Sequence, residues 1–414
     1  MRGGYRTLSR IRRSGGSPSV GGVAARAWWR IAPAVLALAW GGNHFSVLLL
    51  LYRREEGYSQ VAVDLLLAAY VVGIVPGFLI SGPLSDRFGR RPLLVAGVLI
   101  GCAGSAVLAA APGSLAVLAV GRLVSGVSVA IAMVVGSSWI KEVSAAPWPV
   151  VAAPVAARRA SLTLTAGFGL GPAVSGTIAQ WGPAPTLLPY GIHVALTLLA
   201  AAPLLTAPET RGACSGVAPA LAADLVEPLA VRRRFLRVVV PASPWVFGCA
   251  SCAFAVVPAV VAGRTGQLGV AYASLLAVVA LSVGAAVQPF AVRIGSVAGG
   301  RQLPVGLAVA TLGLLLAALT AALVSPLLGV LAAAVLGAGY GLCLVSGLTE
   351  VQRTAPPEAL GGLTAVYYSV TYVGFTFPVL LAAASALAPV GLLLVLLAAA
   401  CLICLGASAR AAAR

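Results

Sequence analysis

Acidic residues are scarce in this chain. Ten Asp and Glu stand against 27 Lys and Arg, and charged residues of both signs make up only 9% of its 414 positions. Soluble domains carry about 25% charged residues, so a water-soluble globular fold is excluded. No segment matches the phosphate loop G-x-x-x-x-G-K-[ST], so the chain does not itself consume ATP. The seven cysteines, Cys102, Cys214, Cys249, Cys252, Cys343, Cys401 and Cys404, include two C-x-x-C pairs, but both pairs lie in apolar runs with no histidine nearby in sequence. A structural metal site needs a second half. The cysteines read as small buried hydrophobes, and no metal is expected. No catalytic constellation is visible either, which argues against an enzyme.

What the chain has is hydrophobic length. Its apolar fraction is 60% and its mean hydropathy is +1.02. A hydrocarbon core about 30 Å thick takes about 20 apolar residues as helix. Twelve runs reach that length: 31–51, 60–82, 93–111, 114–138, 161–181, 185–205, 236–262, 268–290, 303–324, 326–349, 362–384 and 388–409. An outer-membrane barrel would instead show short alternating strands. The expected class is an all-α integral membrane protein. Pro112-Gly113, the stretch from Trp181 to Ala184, and Ser325-Pro326 fit tight reversals between antiparallel spans.

A net charge of +17 would suit a nucleic-acid binder, but its distribution does not. With the N-terminus inside, inner segments hold 23 of the Lys and Arg residues and outer loops three, Arg53, Arg54 and Arg264; Arg122 falls inside a span. This is the positive-inside pattern. It places both termini in the cytoplasm and the protein in the cell membrane. The basic residues face anionic lipid headgroups rather than nucleic acid. Residues 1–27 form a basic, Gly- and Ser-rich tail expected to be disordered. The pair Arg12-Arg13 resembles a twin-arginine signal, but the apolar run after it is long enough to span, so no processing is expected. The spans divide into bundles at 28–205 and 236–409, joined by a proline-containing cytoplasmic linker at 206–235 and followed by a tail at 410–414.

The two halves repeat weakly. GPLSDRFG at 82–89 parallels QPFAVRIG at 288–295, and the same offset carries Pro172 to Pro378. Arg122-xxx-Gly126 has a fainter counterpart in Gly337-xxx-Gly341. Six spans per half make the halves parallel repeats about an axis normal to the membrane. Transporters built this way hold substrate between the halves.

Charge concentrates in SGPLSDRFGRRP, residues 81–92. Arginines beside a span anchor it at the headgroups, which accounts for Arg90 and Arg91. Gly82 and Gly89 permit close approach and positive φ, and Pro92 suits a first helical turn. Asp86 does nothing for inside orientation and needs a cationic partner or a helix N-terminus. Glu142 is available to Arg87 or Arg90. The stretch resembles the signature loop G-x-L-[AS]-D-R-x-G-R-[RK] of the major facilitator superfamily at every defining position. The resemblance implies twelve transmembrane helices in two pseudo-symmetric six-helix bundles, working by alternating access. It also implies a cytoplasmic latch, with Asp86 contacting the eleventh span and Arg87 or Arg90 contacting Glu142. Val292 replaces the acid in the second copy, so a second latch is expected to be weak or absent. LAVGRLVSGVSVA, 118–130, resembles the family's l-x-x-x-R-x-x-q-G motif, with Arg122 and Gly126 in place and Ser125 for Gln. GFGLGPAVSG, 167–176, resembles the antiporter-associated G-x-x-x-G-P-x-x-G-G at Gly167, Gly171, Pro172 and Gly176, with Ser175 for one Gly. Small residues there equally allow tight helix packing. Pro208-Glu209-Thr210-Arg211 is also frequent in the family.

Ionisable residues within spans are functional hypotheses by default. His44, Asp64 and Arg122 fall in the outer half of the bilayer, with Asn43 beside them. A His and an Asp on neighbouring antiparallel spans can meet. These residues are candidates for proton coupling, in which an acid near an arginine exchanges its proton for the cation as a cavity opens and closes. The bland readings are a solvated helix mouth for Asp64, a packed ring for His44 and an interhelical tie for Arg122. Many antiporters of the family carry an acid on the first span, and this chain has none there. The resemblance lines the cavity with spans 1, 4, 7 and 10, making Trp245, Phe247, Phe254 and Tyr340 candidates. Tyr368, Tyr372 and Phe375 share one face of the eleventh span, where packing is the commoner explanation. The glycines of GAGYG, 337–341, allow that helix to bend or to pack closely. No acid lies deep in the second half, which suits an apolar, neutral or weakly anionic substrate. The expected function is proton-driven export of a small organic molecule. Import by proton symport is the alternative, and a non-transporting receptor or scaffold a remote one. The proton gradient is the energy source, no cofactor is expected, and the chain is expected to act as a monomer.

Overall fold

The computed structural model describes residues 27–148, 151–211, 235–291, 293–294, 302–354 and 360–412. Among the described residues, twelve helices are long and apolar enough to cross a membrane: α1 Ala32–Glu55, α2 Gln60–Phe88, α3 Arg90–Ala110, α4 Leu115–Glu142, α5 Val155–Trp181, α6 Leu188–Leu205, α7 Phe235–Val260, α8 Ala262–Phe290, α9 Gln302–Leu323, α10 Pro326–Thr354, α11 Gly362–Ala384 and α12 Val390–Arg410. No strand occurs among the described residues. The tail at 1–26, most of the linker (212–234), Val292 and Gly295 lie outside them.

Local chemistry sets the reversals. After Gly57, at φ +67°, Ser59 caps α2 by accepting from Ala62 N–H at 3.1 Å, an N-cap that satisfies one orphan donor of the first turn. Ser114 caps α4 in the same way. α2, α4, α5 and α10 run past their apolar stretches, to Phe88, Glu142, Val155 and Thr354. Hydropathy reports the thickness of the hydrocarbon, whereas the helix continues through the headgroup layer. The signature stretch is therefore mostly helix, broken only at Gly89.

Packing repeats between halves. In the first, α4 lies against α2 and α3, α3 against α6, and α1 against α5. In the second, α10 lies against α8 and α9, α9 against α12, and α7 against α11. Each pair recurs six helices later. The closest approaches recur too. A Cβ on Gly126 would collide with the α2 backbone at Tyr70, and one on Gly341 with the α8 backbone at Gly284. These small residues let apolar helices approach closely where lipid supplies no hydrophobic drive between them, so the glycines of α10 serve packing, and α10 runs unbroken.

Several helices are interrupted near the centre. α1 tightens to a 3-10 turn at Ser46–Leu48, α4 and α7 carry π-turns at Ala132–Gly136 and Cys252–Val256, and α11 has a 3-10 turn at Val373–Thr376. Single π-turns concentrate at functional sites. With an even number of crossings, the segments before α1 and after α12 share one face, called here the basic face. Loops 56–59 and 182–187 lie on the far face.

Candidate functional site

On the basic face, Gly89 separates α2 from α3 at φ +98°, a conformation glycine adopts without strain. A Cβ there would also meet Glu209 Oε2 at 2.9 Å. That carboxylate accepts the N–H groups of Arg90 and Arg91 at 2.9 and 2.8 Å, and so caps the positive end of α3. The Pro208–Arg211 segment is thus a docking element. Trp139 Nε1–H donates to Pro208 O at 3.0 Å, and Thr210 Oγ1–H donates to Glu142. Arg90, 6% exposed, pairs with Glu142 at 2.8 Å and with Asp86 at 3.1 Å. Arg211 joins both acids at 3.7–3.8 Å. Of the predicted loop residues, the structure brings Asp86, Arg90 and Glu142 together. Arg87 lies over Phe88, Arg91 donates to Ala207 O, and Gly82 faces Val134.

The expected contact from Asp86 to the eleventh span is not present among the described residues: its ion partners are Arg90 of the first bundle and Arg211 at the start of the linker. The network clamps α2, α3, α4 and the end of α6 to one another. Glu209→Ala is expected to cost about 1–2 kcal/mol by uncapping α3. Thermal unfolding of the solubilised protein measures this, and an unchanged midpoint would show that the cap contributes nothing.

In the membrane, Arg122 is fully buried on α4. An arginine at the centre of a span costs about 2.5–3.5 kcal/mol. Here it lies over Tyr70 at 4.4 Å and Phe45 at 4.7 Å, contacts worth up to about 2 kcal/mol when desolvated. Its Nε and Nη1 donate to Leu66 O and Gly42 O, both at 3.3 Å. Nη2 has no partner, and no carboxylate pairs with this cation among the described residues.

Tyr70 joins Arg122 to the second bundle. Its ring lies 5.9 Å from those of Tyr372 and Phe375. Phe78 stacks on Tyr368 at 5.6 Å. Phe247 packs on Tyr372 at 4.0 Å and on Tyr340 at 5.6 Å, and Phe254 approaches Phe375. Tyr372 Oη–H points to Met133 Sδ, at 3.4 Å, in the π-turn of α4. Rings of α2, α7, α10 and α11 therefore form one cluster across the bundle interface, with a cation at its edge. Trp245 stands apart, bonded to Pro241 O and packed on Phe377.

The remaining candidates divide. His44 and Asp64 do not meet. Asp64 accepts from Gln60 Nε2 at 2.8 Å, and its other oxygen is buried without a partner. His44 instead faces His193 and Tyr190 of α6, at 4.8 and 5.0 Å between ring centres. His193 was not anticipated from the sequence, and Glu209 was named there only as part of the Pro208–Arg211 element, without a role. Tyr190, His193 and Thr197 recur at i, i+3 and i+7, a polar stripe on one helix face that could have singled out His193. Asn43 has a local explanation. Pro172 lacks an N–H and so frees Phe168 O in α5, and Asn43 Nδ2–H reaches that oxygen at 3.5 Å. Gly167 and Gly171 sit against the α1 backbone at Leu36 and Trp40, and Gly176 against Ser274 of α8. A separate open groove of about 700 Å³, bordered by Trp28, Trp29, Leu36, Trp40, Arg158 and Arg159, lies between α1, α5 and α6, away from the ring cluster.

The bundles also meet on the far face. Arg54 donates to Gly266 O. Gln180 bridges to Gln267 O at 2.9 Å and to Ala271 N–H at 3.0 Å, and Ser274 Oγ–H donates to Pro172 O at 2.7 Å.

Two six-helix halves meet around a shared cluster of rings, with Arg122 at its edge and without an ion pair among the described residues; the twelve-helix architecture is that of a multi-pass membrane transporter. The chain belongs to the Major Facilitator Superfamily, whose family model matches residues 31–378. It is a transporter and not an enzyme. A 157-residue stretch is 31% identical to the 4-hydroxybenzoate transporter PcaK of Pseudomonas putida, covering 37% of this chain and 32% of that protein. The match thus spans about a third of that relative's length. Among solved structures, the nucleoside transporter NupG superposes with a TM-score of 0.69 at 12% identity, covering 93% of this chain and 98% of that one. A D-xylose-proton symporter gives 0.62 at 18% identity, covering 92% and 97%. The POT family transporter PepTSo gives 0.69 at 12%, covering 94% and 97%. At these identities the likeness carries the fold alone.

Proposed function

We propose that the protein moves a small aromatic carboxylate across the cell membrane by alternating access, coupled to protons. The observation that carries this reading is Arg122, a fully buried cation with one free guanidinium nitrogen, no acid partner among the described residues and a wall of Tyr and Phe beside it. A carboxylate supplies the missing charge through a charge-assisted bond, and an aromatic body matches the rings. The partial likeness to a 4-hydroxybenzoate transporter is consistent with that chemistry. Both termini and the Asp86–Glu142 network are assigned to the cytoplasmic side by the distribution of Lys and Arg. The far-face contacts then close the outside. In the outward-facing state the Asp86 network would be the first-bundle part of the cytoplasmic gate.

Symport is the direction we favour, because an anion entering against an inside-negative potential needs at least one accompanying proton. Export by exchange for protons is the second reading. It is favoured by the helix 5 element, although Gly167, Gly171 and Gly176 each have a packing role. Proteoliposomes with an imposed pH gradient decide. Symport predicts that radiolabelled 4-hydroxybenzoate accumulates in vesicles that are alkaline inside; exchange predicts accumulation in vesicles that are acidic inside. Accumulation in neither would sink proton coupling.

A further inference from the structure

The chain contains two histidines, and they touch each other. His44 on α1 and His193 on α6 are both buried, edge to face at 4.8 Å. Their surroundings differ. His193 Nε2 lies 2.9 Å from Ala37 O and 3.3 Å from Thr197 Oγ1. A carbonyl only accepts, so this nitrogen carries the hydrogen. His193 Nδ1 lies 2.8 Å from Ser105 Oγ. A hydroxyl can donate or accept. With the ring neutral, Ser105 donates to Nδ1. When a proton adds at Nδ1, a new N–H bond forms, the hydroxyl turns and its oxygen accepts. Nothing else in the site needs to move. Neither nitrogen of His44 has a hydrogen-bond partner, an anomaly for a buried polar group.

The groups facing the pair can be named helix by helix. α6 contributes Tyr190, whose hydroxyl bonds that of Tyr52 from α1 at 2.8 Å. α4 contributes Arg122, whose Nη1 donates to Gly42 O, two residues before His44. α3 contributes Ser105, and Gly171 of α5 lies against the α1 backbone at Trp40 and His44. No carboxylate pairs with either ring among the described residues. A second charge on the pair would stand beside both the first and Arg122. One proton is therefore the most it can hold at once.

A mechanical link completes the site. The 3-10 turn Ser46–Leu48, two residues beyond His44, packs on α8 and on the π-turn of α7 in the second bundle. Parting of the bundles acts on α1 at that point.

We propose that the His44–His193 pair is the coupling site, holding one proton that binds together with an anion at Arg122. This rests on the carboxylate reading above. The anion neutralises Arg122 and lessens its repulsion of a proton on the pair, so each ligand tightens the binding of the other. Proton and anion then cross together, and Asp64 is not required.

The test uses the full chain in proteoliposomes with 4-hydroxybenzoate as the probe. His44→Gln and His193→Gln should keep exchange of labelled for unlabelled probe while gradient-driven accumulation falls by at least about fivefold, the low end of site-to-site coupling. Asp64→Asn should keep both. Accumulation that survives in the histidine variants, or that is lost with Asp64→Asn alone, overturns the proposal and leaves the carboxylate reading standing. Absence of exchange in the wild type overturns the carboxylate reading instead. The proton site is then judged without ligand, by ring-nitrogen NMR of histidine-labelled protein over about pH 5–8, where histidine changes charge. One ring gaining a proton across that range supports the pair as the site. Two rings that stay neutral, or two that both become charged, overturn it.

Discussion

Replacing Arg122 with Gln is expected to abolish discrimination between a carboxylate and its neutral amide. Among the described residues Arg122 has no ion pair, and its contacts are two long bonds to carbonyls and two aromatic faces. The Gln side chain is long enough to retain one carbonyl contact but carries no charge. A hydrogen bond to a charged group contributes about 1.5–3 kcal/mol, which corresponds to about a 10- to 150-fold change in affinity. The wild type should therefore take up 4-hydroxybenzoate in preference to 4-hydroxybenzamide by a factor of that order, and Arg122→Gln should lose the preference. Arg122→Lys keeps the charge but loses the planar fork and its stacking on Tyr70 and Phe45, so it should fall between the two. The measurement is competition by the amide against labelled acid, alongside thermal unfolding of each variant. A purely structural Arg122 would lower the unfolding midpoint and leave the preference unchanged, and that result would remove the basis for an anionic substrate.

The sequence and the structure agree where one physical constraint acts alone. Hydrocarbon thickness dictates span length, so all twelve helices were legible as apolar runs. Their ends on the basic face were not, because charged residues in the headgroup layer lower hydropathy without ending the helix; α2 continues through Asp86 and Arg87 to Phe88. Site geometry depends on which helices touch, and that is not written in any one span. Asp64 and His44 occupy similar depths, yet His44 turns toward α6 while Asp64 stays with Gln60 one turn away. His193 carried a signal in the Tyr190–His193–Thr197 stripe, but its contact with His44 follows only from the packing of α1 against α6. Glu209 lies beyond the last apolar residue of α6, and its role as the α3 cap depends on a fold that returns it to Gly89. The aromatic residues of α11 were visible as a stripe. That the stripe continues through Tyr70 to Arg122 follows only from the meeting of α2 and α11.

Cross-linking the two bundles on the far face is expected to stop transport completely. Four hydrogen bonds join them there, through Arg54, Gln180 and Ser274. Each has a net worth of about 0.5–1.5 kcal/mol. The contact as a whole therefore amounts to a few kcal/mol, small enough for bundle motions on the μs–ms scale to break. A covalent bridge is not breakable on that scale. Gln180→Cys with Gln267→Cys puts one thiol on each bundle beside the bond from Gln180 Nε2 to the main-chain carbonyl of Gln267. A reducible bifunctional thiol reagent should eliminate uptake in the double variant, and a reductant should restore it. Each single variant, treated identically, should retain uptake; this controls for the native cysteines, of which Cys102 and Cys404 are only partly buried. Alternating access requires these loops to separate once per cycle if the site is to reach the far face. Undiminished uptake with the bridge in place would mean that the substrate crosses without the bundles parting there, and the rocking mechanism would have to be abandoned for this chain.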